Sequence, residues 1–97
     1  MGNAKQLCGE LDKLLSEINS SGFKVTPATI GKLEKISADA AGFEMKTGKR
    51  LVDNFIEVLK SFQEGKSKED SVSLRLTALD FYKKNILESP SETEEEL

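Results

Sequence analysis

The chain has 97 residues, of which 37% are hydrophobic and 32% are charged, and its formal net charge is −3. This length suits a single domain with one core, and this balance is typical of a folded chain rather than a disordered one. Its apolar runs are much shorter than the roughly 20 residues of a membrane-spanning helix, and no export signal is apparent at its start. We therefore expect a cytoplasmic protein that does not enter a membrane.

The sequence contains no histidine and a single cysteine, Cys8. Histidine is the usual base in nucleophilic catalysis and a common zinc ligand, so its absence argues against both kinds of site. One cysteine forms neither a disulfide nor a thiolate metal cluster within one chain. We expect no enzymatic activity, no cofactor and no metal. Cys8 borders the apolar face of the first predicted helix, where a free cysteine is usually a small core residue.

Most of the net negative charge belongs to the C-terminal end. Residues 89–97 contain four of the 17 acidic residues and no base, which leaves 13 acidic and 14 basic residues in residues 1–88. Such a nearly neutral body lacks the basic surface of a nucleic-acid-binding protein. Pro90 and the glutamates after it predict a disordered acidic tail at residues 89–97, following a helical domain at residues 1–88.

The first predicted helix follows a possible N-cap at Asn3 and ends within residues 19–22. Its apolar positions are Leu7, Leu11, Leu14, Leu15 and Ile18. Their spacing of three and four residues places them on one face of a helix. In the connector that follows, Phe23 and Val25 alternate with polar residues. This segment forms either a short strand or, as we favour, a hydrophobic plug across the end of a bundle.

Residues 26–65 form either one long helix or two. Thr26 and Pro27 are a typical helix start. The apolar stripe keeps its phase across Gly42 and Gly48, which favours one helix. Each glycine, however, costs about 1 kcal/mol in a helix interior.

The stripe also weakens around these glycines, where Ser37, Glu44 and Gly48 occupy its centre. We therefore expect a break within residues 42–48, with Phe43 or Met45 closing over the turn. Two helices here allow a complete bundle within one chain, whereas one long helix requires a dimer to cover its apolar face.

The last predicted helix follows a connector at residues 64–68 and has two apolar faces. Residues 72–77 alternate as a strand does, but the apolar positions beyond them favour a helix. One face contains Val72, Leu76, Leu79, Tyr82, Ile86 and Leu87, and the other contains Leu74, Ala78 and Phe81. Either both faces are buried, or Leu74, Ala78 and Phe81 form a partner-binding surface. Asp80 is placed to pair with Lys83 or Lys84.

These patterns predict an all-α fold, a small antiparallel bundle of three or four helices with a disordered acidic C-terminal tail. The predicted function is a non-enzymatic protein–protein interaction module, such as a small adaptor, chaperone or inhibitor. It acts through apolar helix faces on another protein or as a homodimer, without nucleic-acid or membrane partners. The alternative is a carrier of a small hydrophobic ligand, held between the helices in a cavity that Phe23, Phe43, Phe55 and Phe62 line.

Overall fold

The computed structural model describes residues 4–88, which form four α-helices. They are α1 (Ala4–Ser20), α2 (Pro27–Gly42), α3 (Lys46–Gln63) and α4 (Glu69–Glu88). The all-α prediction is confirmed, with four helices in the described part of the chain. The predicted cap at Asn3 and the predicted tail at residues 89–97 lie outside the described residues.

The helices form an antiparallel bundle in which each helix packs mainly against two neighbours. α1 and α3 each pack between α2 and α4. Short connectors at residues 21–26, 43–45 and 64–68 join consecutive helices. All four helices bury apolar side chains in one core, and the domain measures 39 × 22 × 21 Å. This is the arrangement of an up-and-down four-helix bundle.

The chain turns between α2 and α3, which confirms the predicted break. Met45 closes over the turn: its side chain is buried, and its backbone N–H donates a hydrogen bond to the Ala40 carbonyl at 2.8 Å. Phe43, the other candidate, remains 37% exposed. Glu44 adopts the left-handed conformation, with φ of 60°, and is exposed. The turn therefore places its carboxylate in solvent, where it carries no burial cost.

A hydrogen bond from α2 to α3 accounts for a polar residue in the core-facing stripe of α2. Ser37 is buried, and its hydroxyl donates to Asp53 Oδ1 at 2.5 Å. Lys49 donates to the other carboxylate oxygen of Asp53 at 2.6 Å. The hydrogen bond from Lys49, and then that from Ser37, lowers the pKa of Asp53. The interruption of the stripe is thus a satisfied polar contact between helices.

Phe23 closes the end of the bundle between α1 and α2. Its side chain is buried and meets Phe62 edge to face, with ring centroids 6.3 Å apart and an interplanar angle of 88°. Its carbonyl accepts a hydrogen bond from Gln63 Nε2 at 2.7 Å. The hydrophobic plug is confirmed, and the short strand is wrong because residues 21–26 form a turn and an irregular segment.

Gly48 lies within the first turn of α3, beyond the break, and faces the ring of Tyr82 on α4. A Cβ at this position would lie 2.7 Å from Tyr82 Oη and 3.0 Å from two of its ring carbons. Tyr82 is buried. The missing side chain therefore lets the tyrosine ring pack against the backbone of α3.

We expect Gly48→Ala to lower the free energy of unfolding and Gly31→Ala to raise it. At Gly31, in α2, an added Cβ meets no atom within 4 Å, so only the gain in helix propensity, up to about 1 kcal/mol, applies. At Gly48 the displaced ring costs roughly 1–3 kcal/mol, which offsets that gain. Urea unfolding followed by circular dichroism measures both. Equal stabilisation by the two substitutions would show that the Tyr82 contact does not constrain the packing.

Candidate interaction surface

α4 presents apolar side chains both to the core and to solvent. On its core side, Val72, Leu79, Tyr82 and Ile86 are buried. On the other side, Leu74 is 68% exposed and Phe81 is 69% exposed, with half-buried Ala78 between them. Burial of α4 on both faces is therefore wrong. Leu87, which periodicity assigned to the core face, is 39% exposed.

Leu74, Ala78 and Phe81 form one surface feature, called here the outer apolar stripe. Their spacing of four and three residues places them in line on one helix face, over a length of about 10 Å. Among the described residues, Leu74 and Phe81 are the most exposed of the large hydrophobic side chains. Two large side chains thus flank a small one on a regular helix that packs against α1 and α3.

Polar and charged residues border the outer apolar stripe. Ser71 and Asn85 continue the same face at its two ends. Asp70 and Lys84 lie together along one edge by the helical period of 100° per residue. Lys84 Nζ is 3.3 Å from Asp80 Oδ2 within the chain. An apolar centre with a polar, charged rim is the usual anatomy of a protein interface.

A groove of about 350 Å³ runs between α3 and α4 beside Leu74. Its walls are Asn54, Glu57, Val58 and Ser61 of α3, Ser67 of the connector, and Ser71, Leu74 and Arg75 of α4. Val58 is half-buried. The contribution of α3 to this surface was missed, because no sequence pattern shows that these residues lie beside Leu74.

Lys83 is a buried lysine that joins α4 to α1. It is 6% exposed, and its Nζ donates hydrogen bonds to Asp12 Oδ1 and to Asp80 Oδ1, the latter at 2.8 Å. Asp80 was predicted to pair with Lys83 or Lys84, and it forms ion pairs with both. The burial of Lys83 was missed, although its position four residues after Leu79 places it near the core-facing side of the helix.

The ionisation of this cluster indicates a structural role. Burial acts to lower the pKa of Lys83, but its hydrogen bonds to Asp12 and Asp80 outweigh that effect and raise it. The hydrogen bond from Lys83 in turn lowers the pKa of Asp80. Lys83 therefore stays charged, whereas a lysine nucleophile must be neutral to react.

Cys8 is a core residue, as predicted from its place on the edge of the apolar face. It is 1% exposed, and burial raises the pKa of its thiol to about 11, although the nearby charge of Lys83 acts in the opposite direction. Nucleophilic cysteines require an accessible thiolate. Cys8 thus stays protonated and packs as a small apolar side chain.

The cavity beside Cys8 inside the bundle measures about 10 Å³. It is lined by Leu7, Cys8, Leu11, Ile36, Ala40, Met45, Gly48, Val52 and Tyr82. This volume is about that needed by a single water molecule, and none of the four phenylalanines of the carrier hypothesis lines it. The cavity does not fit an acyl chain, so it lends no support to the carrier alternative.

Compared with protein-family models, curated proteins and solved structures, the chain shows no match. Within residues 4–88, no three His, Cys, Asp or Glu side chains are grouped so that they could hold a metal ion. The helices in this range are also too short or too polar to cross a membrane. The outer apolar stripe is the strongest indication of function in the described part of the chain.

Proposed function

We propose that this protein is a non-enzymatic interaction module that binds another protein chain through Leu74, Ala78 and Phe81. The observation that carries the proposal is the exposure of Leu74 and Phe81, 68% and 69%, on one face of one helix. Single exposed apolar residues are common, but aligned clusters with a polar rim usually mark a binding surface.

The geometry favours recognition through a preformed helix. Apolar anchors at positions i, i+4 and i+7 are the pattern by which a helix docks against a complementary apolar surface. α4 is already folded and packed against α1 and α3, so binding does not require the helix to be ordered first. Phe81 is the principal anchor, because aromatic side chains commonly carry a large share of the binding energy at interfaces. An adaptor, a chaperone or an inhibitor of another protein fits this mode of binding.

Replacing Phe81 with aspartate is expected to weaken binding strongly without unfolding the protein. Loss of an interface anchor costs about 2 kcal/mol or more, which weakens binding about 30-fold. The side chain is 69% exposed, so the melting temperature should change little. Affinity capture with the wild type and Phe81→Asp as baits, followed by titration of each captured protein, measures the effect.

Ala28→Asp is the matched control, because Ala28 is exposed on α2, which packs against α1 and α3 and so lies away from the outer apolar stripe of α4. It adds the same charge and should bind within about twofold of the wild type, since isolated surface changes have small effects. Equal capture and equal affinity for the wild type and both variants would contradict the proposal.

A further inference from the structure

We propose that the partner on the outer apolar stripe is a second copy of this chain, with the two α4 helices antiparallel about a two-fold axis. This inference rests on the proposed function and goes further by naming the occupant and its orientation. It follows from the order of side chains along the exposed face of α4.

The outer apolar stripe is complementary to itself when one copy is reversed. A two-fold axis between positions 77 and 78 lies midway between Leu74 and Phe81. It places Leu74 opposite the partner's Phe81, and symmetry repeats this contact on the other side of the axis. Ala78 lies close to the axis, where its small side chain permits the short interaxial distance of packed helices, about 8–10 Å.

The charges along the edge of the stripe favour the same arrangement. Asp70 and Lys84 lie on one edge, and the two-fold axis of an antiparallel pair, which is perpendicular to the helices, brings the same edges of the two helices together. The axis that pairs Leu74 with Phe81 also places Asp70 within one residue of the partner's Lys84, or about 1.5 Å along the helix, about 10 Å from the centre at each end. In a parallel pair the two-fold axis runs along the helices and brings opposite edges together, so Asp70 and the partner's Lys84 lie on different sides of the interface and form no ion pair. The two contacts between Asp70 and Lys84 therefore favour the antiparallel orientation.

The polar ends of the face match in this arrangement. Ser71 comes within one residue of the partner's Asn85, and a hydroxyl and an amide are suited to hydrogen bond with each other. On the α3 side, Val58 and Asn54 line the groove beside Leu74 and add contact area. The paired region, from Asp70 to Lys84, covers about 21 Å of helix.

The size of the surface indicates a weak, reversible dimer. A standard stable interface buries about 800 Å² on each partner, more than three apolar positions on one helix provide. We expect a dissociation constant on the order of 10 μM, near the weak end of specific association. Dimer formation should therefore be visible as a dependence of molecular mass on protein concentration.

Sedimentation equilibrium of the full chain from 1 μM to 1 mM, in low salt, tests the inference. The wild type should shift from monomer to dimer over this range, as should Ala28→Asp. Phe81→Asp should stay monomeric. Circular dichroism checks that each variant is folded.

Charge reversal then tests the orientation. Asp70→Lys places two lysines opposite each other at both ends of an antiparallel pair and should weaken dimerisation about 10-fold. Adding Lys84→Glu restores opposite charges, and the double variant should return to within about threefold of the wild type. In a parallel pair Asp70 does not face the partner's Lys84, so adding Lys84→Glu to Asp70→Lys would not restore dimerisation.

The possible outcomes separate the two proposals. A wild type that remains monomeric at 1 mM overturns the second-copy inference, while loss of other captured proteins in Phe81→Asp but not in Ala28→Asp would still support the proposed function. A dimer that tolerates Phe81→Asp overturns the placement of the self-interface on the outer apolar stripe. A dimer that is lost in Phe81→Asp but unaffected by Asp70→Lys overturns the antiparallel orientation.

Discussion

Replacing both Asp12 and Asp80 with alanine is expected to lower the free energy of unfolding by about 3–5 kcal/mol, more than the two single replacements together. Lys83 is 6% exposed, and these aspartates are its carboxylate partners among the described residues. Either single replacement leaves one partner in place. The double replacement leaves a buried ammonium group without a counter-charge, which costs far more than losing an exposed ion pair.

Urea unfolding of the wild type, both single variants and the double variant provides the measurement. Lys83→Met is the control, because it removes the charge while keeping an apolar side chain of similar length. Its stability should lie within about 1 kcal/mol of the wild type, since replacing a buried ion pair by apolar packing is often neutral. If the double variant lost only as much unfolding free energy as the two single variants together, the proposed role of the cluster would be contradicted.

Phe23→Ala is expected to lower the free energy of unfolding by about 3–4 kcal/mol, as large-to-small changes in a well-packed core do. The lost contacts include the edge-to-face packing on Phe62 at the bundle end. Phe43→Ala is the matched control, because Phe43 also lies in a connector between two helices but remains 37% exposed. Phe43→Ala should lower the free energy of unfolding by about 1 kcal/mol or less, because substitutions at partly exposed positions usually have small effects.

A second substitution separates packing from backbone strain at the same position. Phe23 has a φ of 67°, a conformation that costs an L-residue about 1–2 kcal/mol and a glycine almost nothing. Phe23→Gly should therefore be at least as stable as Phe23→Ala, although it removes one more carbon atom. Thermal unfolding by calorimetry compares them. A glycine variant clearly less stable than the alanine variant would show that the strain at Phe23 is not significant.

The break between α2 and α3 shows how far local patterns reach in this chain. Two glycines and a polar interruption indicated a turn, while the continuous phase of the stripe indicated one helix. The turn prevails because Met45 is buried in the core and α2 packs along α3. Of the two glycines, Gly42 ends α2, but Gly48 is used for the contact with Tyr82 instead. That contact joins residues 34 positions apart and leaves no local signal.

The candidate surface was only partly predictable. Periodicity identified Leu74, Ala78 and Phe81 as a second apolar face of α4, but it did not show whether a neighbouring helix covers that face. Whether the face is covered depends on how the four helices pack. α4 contacts α1 and α3, and its second apolar face points to solvent. The participation of Val58 in the groove, and of Asp12 in the Lys83 cluster, depends on the same packing.

The sequence by itself determined the all-α class, the approximate limits of the helices and the residues that share each helix face. These properties depend on interactions between residues three or four positions apart, so they can be recognised along the chain. Only the tertiary structure decided which faces are buried, that Lys83 is buried between α4 and α1, and that Leu74 and Phe81 remain exposed. Burial is a property of two or more elements in contact, and the contacts that produce it here join residues far apart in the chain.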